Sequence, residues 1–246
     1  MPRRDTVRQV RLIRVKFYLD WSVYHCLPLI SSYATGMSSS TAGARPSTPK
    51  RDLLLDTAFR LFYRDGFHAV GIDTILAEAG LAKMTLYHHF ASKDELIVAA
   101  LERRSAEVRA RQDAMIAKAG NAPRDRFAAL LESYADWFRT TDFNGCAFIR
   151  AVAEYPNGSS PVHQAVVRHK AALITTLARL LTELGVAGPQ PLARQIYLLL
   201  EGAIVSAHTF GDAKAAADAR TAALTLVDAA LPKHVRSKAP GHRRTP

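Results

Sequence analysis

Cysteine is scarce in this sequence, whose 246 residues include only Cys26 and Cys146. The two lie far apart and show no ligand spacing, so the sequence predicts neither a disulfide framework nor a zinc site. We therefore expect the protein to work in a reducing, cytoplasmic setting.

The motifs of several enzyme classes are missing as well. The chain contains no GxGxxG, no GxxxxGKS/T, no HExxH, no GxSxG and no Glu-x-x-His pair of the kind that holds di-iron in helical bundles. We expect no enzyme activity, no cofactor and no bound metal. The apolar segment over residues 17–36 is interrupted by Asp20 and His25 and is too short and polar to cross a bilayer, so we expect no membrane partner.

Acidic residues are absent from residues 37–50 and 233–246, and this absence helps to show where the net positive charge lies. The net charge of +11 comes entirely from residues 1–50 and 233–246, so residues 51–232 are formally neutral. Basic tails attract phosphates without specificity, and they do not identify a binding surface. A DNA-binding interpretation therefore has to rest on local geometry.

Residues 1–47 are predicted to be a poorly ordered extension. An arginine-rich start followed by an apolar stretch is similar to an export signal, although polar residues interrupt the stretch. Met37 precedes the leader SSSTAGARPSTPK, which is typical of a segment before a folded domain. We expect that a functional protein can begin at Met37. Residues 233–246 are predicted to be a basic disordered tail.

A first helix is indicated directly after this extension. Thr48 is a typical N-cap and Pro49 a typical first helical residue. Apolar residues then recur at intervals of three and four, and Gly66 stops the pattern.

The stretch GIDTILAEAGLAKMTLYHHF predicts two further short helices joined by a tight turn. They cover about residues 72–79 and 82–90, with Gly80 at the turn. Ser92 and Glu95 then match the capping box of a following helix, in which the carboxylate returns to the serine's own amide. This arrangement predicts a helix-turn-helix, whose second helix enters the major groove of DNA.

The second short helix is expected to bury one face and expose the rest. At ~100° per residue, Leu86 and Phe90 share a face and anchor the helix. The outward positions are Met84, Thr85, Tyr87 and His88. Hydroxyl, imidazole and lysine groups at such positions can donate hydrogen bonds to phosphate oxygens and base edges.

The neighbours His88 and His89 raise the alternative of a metal site. They diverge by about 100°, and neither has a His, Cys, Asp or Glu three or four residues away on this helix. The spacing therefore argues against a chelate. For His89, a position at the edge of the core is an equal alternative to surface exposure.

The segment AFRLFYRDGFHAVGIDTILAEAGLAKMTLYHHFASKDEL resembles the DNA-binding domain of the TetR family of bacterial transcriptional regulators. The matching features are LFYRDGF, IDTILAEAG, TLYHHF and SKDEL. The resemblance implies an all-α protein with an N-terminal three-helix helix-turn-helix DNA-binding domain, residues 48–95, and a C-terminal helical ligand-binding and dimerisation domain, residues 96–232. It also implies a homodimer that represses from a palindromic double-stranded DNA operator and is released by a small lipophilic or aromatic effector.

The resemblance also assigns contacts by position. Contacts with bases and phosphates fall on Lys83, Met84, Thr85, Tyr87 and His88, and a phosphate contact falls on Lys93. From the leading edge of the domain, Arg45, Lys50 and Arg51 are expected to reach the DNA backbone, with solvated charges as the equal alternative. Two departures stand out, because Gly71 replaces the usual capping Ser or Thr of the second helix and Leu76 replaces the usual alanine.

The C-terminal part reads as successive helices without a strand. Within it the resemblance implies an effector cavity, for which the candidates are Tyr134, Trp137, Phe138, Phe148, Tyr155 and Glu201. Ordinary core packing is the alternative for the aromatic residues. The last two helices, about residues 192–210 and 213–231, are implied to form the dimer, with contacts at Leu199, Leu200, Ala203 and Ala207.

Two features of the C-terminal part stay open at this point. Arg194, Tyr197, Glu201 and His208 share one face of an apolar helix, and they can pair, anchor a ligand, cross an interface or form a wet stripe. Cys146 has no basic helper nearby in the sequence and is expected to be unreactive. A helical DNA-binding adaptor without a small-molecule response, or else a helical enzyme, remains the alternative function.

Overall fold

The computed structural model describes residues 49–232, and this part of the chain is helical without a strand. The predicted all-α fold is confirmed. The helices are α1 (Pro49–Asp65), α2 (Ile72–Ala79), α3 (Lys83–His89), α4 (Lys93–Lys118), α5 (Pro123–Phe138), α6 (Ala147–Glu154), α7 (Pro161–Glu183), α8 (Gln190–Phe210) and α9 (Lys214–Ala230). None of these nine is both long enough and apolar enough to cross a membrane. The predictions for residues 1–48 and 233–246, including the start at Met37 and the contact of Arg45, lie outside the described residues.

The first helices begin and end at the residues that the sequence indicates. Helix α1 starts at Pro49, and Gly66 follows its end with a φ of 99°. Helix α2 ends at Gly80, whose φ of 64° is the left-handed conformation that glycine adopts without strain. Across this turn the amide of Leu81 donates to the carbonyl oxygen of Leu76 at 3.1 Å. The turn therefore fixes the direction in which α3 leaves α2.

Helix α4 opens with the predicted capping box, with one difference. The Ser92 hydroxyl accepts a hydrogen bond from the amide of Glu95 at 3.1 Å. The Glu95 carboxylate accepts one from the amide of Ala91 at 2.6 Å, one residue before the serine amide that the sequence predicted. Both bonds fix the first turn of α4 directly after α3. This helix has 26 residues, or ~39 Å at about 1.5 Å per residue, and it packs against α1 at one end and against α5 and α7 further along.

Two groups of buried side chains hold these helices together. The first contains the inner faces of α1 to α3 and the first turns of α4, together with Phe148 and Ala151 of α6 and Val162 and Val166 of α7. The second is built mainly from α5, α7, α8 and α9. Because α6 and α7 complete the core beneath the first three helices, a shift of α6 or α7 changes the packing under α3.

Three of the four residues predicted as dimer contacts lie in the chain's own core, and their role in a dimer stays a prediction. Leu200, Ala203 and Ala207 are 1%, 6% and 3% exposed. Leu199 is half-buried and packs against the same core. Helix α8 is apolar on two sides, so its sequence pattern could not indicate which side faces the chain itself.

The outer side of α8 is also apolar. Leu198 is 66% exposed and Val205 is 50% exposed, and Gly202 lies between them on the exposed side. A side chain at Gly202 would meet nothing within 4 Å. This side, consisting of Leu198, Gly202 and Val205, is called the outer α8 stripe below.

Candidate DNA-contacting surface and internal cavity

Helix α3 is anchored by one face and exposed on the other. Leu86 and Phe90 are 0% and 1% exposed, whereas Met84 is 78% and Tyr87 43% exposed. His88 is exposed as well. The predicted orientation is confirmed for these residues but not for Thr85, which is half-buried, and the role of the exposed residues in DNA contact stays a prediction.

Three further residues of α3 have different settings. Thr85 is half-buried. The Lys83 ammonium lies 3.5 Å from the Asp73 carboxylate of α2, an exposed ion pair that contributes little to stability and leaves Lys83 accessible. His89 is 8% exposed, which favours the core-edge interpretation. Within residues 49–232, no group of three or more His, Cys, Asp and Glu side chains is placed to hold a metal ion.

The basic residues around α3 are engaged to different degrees. Lys50 is exposed at the start of α1. The Arg51 guanidinium lies over the Phe90 ring, 5.3 Å from its centroid, so it packs against the end of α3. The Lys93 ammonium donates to the carbonyl oxygen of His68 at 3.2 Å, and burial lowers the pKa of this lysine. Lys93 is thus partly engaged within the chain, and its phosphate contact stays a prediction.

The two departures noted in the sequence have local consequences. Gly71 precedes α2 in an extended conformation and supplies no side-chain hydrogen bond to the helix. Leu76 is 7% exposed and belongs to the core under α3. Helix α2 therefore lacks a side-chain N-cap, and the Leu76 side chain is accommodated in the core.

A cavity of about 80 Å³ lies between α1 and the C-terminal helices. A single bound water needs roughly 10–15 Å³ of cavity volume, so this cavity holds several waters or part of a small organic molecule. Its aromatic wall consists of Phe59, Tyr63, Tyr134, Trp137 and Phe148. Its charged and amide groups include Arg104, Arg111, Gln112, Lys170 and Glu201.

Four of the six cavity residues predicted from the sequence line this space, and two do not. The four are Tyr134, Trp137, Phe148 and Glu201. Phe138 is buried beside Tyr134 and Trp137, outside the wall. Tyr155 lies elsewhere, stacked on His68 with 4.6 Å between ring centroids. For these two residues the prediction is corrected, because helical spacing identifies a buried face without separating core from cavity.

A partly buried ion pair forms part of the cavity wall. The Lys170 ammonium lies 2.7 Å from both carboxylate oxygens of Glu201, and the side chains are 14% and 18% exposed. Burial and then the Glu201 charge raise the pKa of Tyr197 to about 12. The same ammonium lies 3.6 Å from the Cys146 sulfur. The basic neighbour that the sequence around Cys146 lacks is therefore supplied from α7.

The loop before α6 is bonded directly to α1. The amide of Asn144 donates to the Tyr63 hydroxyl at 2.7 Å, and the Asn144 side chain donates to the Tyr63 carbonyl oxygen at 3.0 Å. The Arg150 guanidinium donates to the carbonyl oxygens of Tyr63 and Arg64 at 2.9 and 3.2 Å. Since these are carbonyls at the C-terminal end of α1, Arg150 satisfies groups that the helix leaves unpaired.

The far end of α6 holds the turn that follows α1. The Glu154 carboxylate accepts hydrogen bonds from the amides of Phe67 and His68 at 3.0 and 2.6 Å. Gly66 has a φ of 99°, which favours glycine, and a side chain there would also crowd this carboxylate at 3.1 Å. The Tyr155 hydroxyl donates to the Asp94 carboxylate at 3.3 Å, next to the start of α4. Helix α6 is therefore fastened at both ends to the helices that position α3.

His169 separates the cavity from a second, more open cleft between α4 and α7. Its ring is stacked on Phe148 with 3.5 Å between centroids and an angle of 5°. Its Nδ1 is hydrogen-bonded to the Ser105 hydroxyl at 2.8 Å. Burial, and then the charges of Lys170 and Arg109, lower the pKa of His169 to about 3. This histidine is therefore neutral at physiological pH.

Several wall residues were missed from the sequence, namely Phe59, Tyr63, Arg104, Arg111 and Lys170. They come from α1, α4 and α7, which are separated along the chain. The spacing of Arg104 and Arg111 places both on one side of α4. Nothing in the sequence indicates that this side faces a cavity.

Comparison with known proteins shows to which family the chain belongs. The model of bacterial regulatory proteins of the tetR family matches residues 54–100, and the model of the tetracyclin repressor-like C-terminal domain matches residues 123–223. The crystal structure of a TetR-family transcriptional regulator from Streptomyces coelicolor superposes with a TM-score of 0.71 at 36% sequence identity, covering 79% of this chain and 96% of that one. The chain belongs to the TetR family. It is a helix-turn-helix transcriptional regulator, and α3 is the second helix of its helix-turn-helix.

Curated relatives of this TetR-family chain include an activator and a repressor. The transcriptional activator FasR of Mycolicibacterium smegmatis is 45% identical over 58 residues, which are 24% of this chain and 26% of FasR. The transcriptional repressor NemR of Escherichia coli is 28% identical over 132 residues, which are 53% of this chain and 66% of NemR. The chain thus matches about a quarter of the first relative and just under two thirds of the second.

Proposed function

We propose that this TetR-family protein is a ligand-responsive repressor that binds a palindromic operator as a homodimer and leaves it when a small molecule occupies the cavity. The observation that carries the DNA-binding part is the contrast along α3, where Leu86 is 0% exposed and Met84 is 78% exposed. An apolar anchor on one side and accessible side chains on the other hold a helix rigidly while leaving it free to enter a groove.

The proposed base and phosphate contacts follow this exposure. Met84, Tyr87 and His88 lie outermost, and Lys83 lies at the start of the same helix. A thymine methyl group suits the Met84 side chain, and the other three offer hydrogen bonds to bases or phosphates. Lys50 adds a charge from α1, where a phosphate contact would make binding depend on salt.

The outer α8 stripe is the proposed centre of the dimer. Monomeric proteins seldom leave large apolar side chains in such a row, because burying them against a second copy removes apolar area from water. In a homodimer the same stripe would meet its own copy across a two-fold axis. The two α3 helices would then be spaced for successive major grooves, about 34–36 Å apart.

The cavity is the proposed effector site because its wall is shared between the DNA-reading helices and the C-terminal bundle. Phe59 and Tyr63 belong to α1, and Arg104 and Arg111 belong to α4, which begins directly after α3. A molecule that favours a different arrangement of these walls would change the spacing of the two α3 helices. A coupling of about 1–3 kcal/mol is typical of such a response.

A footprint on the promoter region upstream of the protein's own gene tests the DNA-binding part. We expect wild type to protect a palindromic site at physiological salt, and Tyr87→Ala to lose at least tenfold in affinity. Val167→Ala is the matched control, since Val167 is 46% exposed on α7, away from α3. Equal binding by wild type and Tyr87→Ala would show that α3 is not the reading helix.

A thermal-shift screen with small aromatic and lipophilic compounds tests the effector part. A ligand that binds only the folded protein raises its melting temperature. A compound that raises the melting temperature and also releases the operator supports the proposed sensor. A chain that binds its operator and responds to no compound would instead be a DNA-binding adaptor.

A further inference from the structure

The cavity wall carries more positive than negative charge. Among the described residues that line it, Arg104, Arg111 and Lys170 are cationic, and Glu201 supplies the carboxylate. Lys170 and Glu201 are already paired at 2.7 Å, so their charges largely cancel. The excess positive charge therefore comes from the two arginines of α4.

These two arginines reach the cavity from different depths. The Arg104 guanidinium lies over the Phe59 ring, 5.4 Å from its centroid, and its side chain is 26% exposed. Its contact with the Glu107 carboxylate, at 3.4 Å, is on the exposed side of α4 and is therefore weak. Arg111 lines the cavity and is exposed, which places it at the rim. An anion at this end would meet one guanidinium inside and one at the entrance.

The electrostatic potential at His169, which also lines the cavity, is positive. Burial is the main cause that lowers the pKa of His169, and the charges of Lys170, Arg109 and then Arg104 lower it further. A positive potential that disfavours a protonated histidine also disfavours a cationic ligand and favours an anionic one.

The rest of the wall selects for a flat apolar group. The rings of Phe59, Tyr63, Tyr134, Trp137 and Phe148 surround the space. Aromatic rings pack favourably against other rings at centroid distances of about 4.5–7 Å. A ligand that uses the whole wall would therefore combine an aromatic ring with a negative charge.

We propose that the effector is a small aromatic carboxylate that widens the cavity as it binds, with its ring between the aromatic walls and its carboxylate bound by Arg104 and Arg111. This inference rests on the proposed function, in which the cavity is the effector site. A guanidinium matches a carboxylate through paired hydrogen bonds, which favours the acid over a neutral molecule of the same shape. Because both arginines are on α4, the carboxylate acts on the helix that continues from α3.

Three probes of one shape test the charge requirement: 3-phenylpropionate, 3-phenylpropionamide and 3-phenylpropylamine. Binding is measured by the fluorescence of Trp137, which lines the cavity, in a Trp21→Phe background that removes the other tryptophan. We expect the carboxylate to bind at least tenfold tighter than the amide, and the amine to bind weakest. Equal affinities of the carboxylate and the amide would overturn the inference, and so would a failure of all three to bind at millimolar concentration.

Variants that replace an arginine by a neutral side chain show which residues bind the carboxylate. We expect Arg111→Gln and Arg104→Gln each to lower the affinity for 3-phenylpropionate at least fivefold. The affinity for the amide should change less than twofold. The matched control is Lys118→Gln on the same helix, because Lys118 is exposed in the last turn of α4 and lines neither the cavity nor the second cleft. A loss of the same size in Lys118→Gln would show that the general charge of α4, and no specific site, attracts the acid.

Operator release is measured separately with the same probes. If the amide releases DNA as well as the carboxylate does, the proposed effector site stands and the charge requirement fails. If the carboxylate binds with the expected preference but leaves the operator occupied, the ligand class stands and the proposed mechanism of release fails.

Discussion

The Tyr63 hydroxyl donates a hydrogen bond to the carbonyl oxygen of Gly145 at 2.9 Å. The bond joins α1, which packs against α2 and α3 of the proposed DNA-contacting surface, to the loop that leads into α6. The ring of the same tyrosine lines the cavity. One side chain therefore lines the proposed effector cavity and also holds the loop before α6 to α1.

Tyr63→Phe should weaken this junction and keep the apolar packing. Burial raises the pKa of Tyr63, so its hydroxyl is protonated and donates. Removing it leaves the Gly145 carbonyl oxygen and the Asn144 amide each without a hydrogen bond, and we expect a loss of about 1–3 kcal/mol in the free energy of unfolding. Urea unfolding measures this change. Tyr87→Phe is the control, since Tyr87 is 43% exposed on α3, and equal losses in both variants would contradict the prediction.

Gly71→Ser should stabilise the start of α2. The glycine has a φ of −81° and supplies no cap, and a side chain there would meet only the Thr74 hydroxyl, at 3.9 Å. A serine can therefore enter without strain and accept an amide hydrogen bond of the first turn. We expect a gain of about 0.5 kcal/mol, or ~1–2 °C in melting temperature. Gly71→Ala, which fills the position without a cap, should gain less than Gly71→Ser, and a larger gain from alanine would rule out capping as the cause.

Stability should fall below neutral pH through His169. Its pKa in the folded protein is about 3, whereas an unfolded histidine titrates near 6.5. Between these values the unfolded chain binds the extra proton, so stability is fully present above pH ~6.5 and is lost as the pH falls toward 3. Between pH 7 and pH 5, His169 should lower the free energy of unfolding by at most about 2 kcal/mol. Urea midpoints at both pH values should differ less in His169→Gln than in wild type, and an unchanged difference would exclude His169 as the source.

Leu198→Glu should shift the protein toward the monomer. Leu198 lies in the outer α8 stripe and is 66% exposed, so a charge there leaves the fold of the single chain intact. In a dimer centred on this stripe the two carboxylates would meet across the two-fold axis and repel each other. Sedimentation equilibrium measures the dissociation constant, which we expect to rise at least tenfold. Val167→Glu on α7 is the control, and a dimer equally stable in both variants would place the interface elsewhere.

The local steps of the fold could be read from the sequence. Gly80 and the Ser92–Glu95 pair marked the limits of α2, α3 and α4, because left-handed turns and capping bonds depend on neighbours in the chain. Leu86 and Phe90 were identified as the anchor of α3 by the helical period alone, and their burial agrees with it.

Reasoning from one helix at a time does not distinguish the two apolar sides of α8. Ala203 and Ala207, which were predicted as dimer contacts, lie in the chain's own core, while Leu198 is on the exposed side. Tyr155 was expected in the cavity and instead packs on His68, in the turn between α1 and α2. Period and hydrophobicity show that a side is buried, but they do not show what covers it.

The sequence by itself determined the helices, the caps and the exposed side of α3, since each depends on residues within a few positions of one another. Only the tertiary structure decided the rest: it brought Lys170 to Glu201, Tyr63 to Gly145 and the arginines of α4 to an aromatic cavity. Those pairings join residues that are tens of positions apart. They follow from how whole helices pack, and no local pattern in the chain encodes which distant faces will meet.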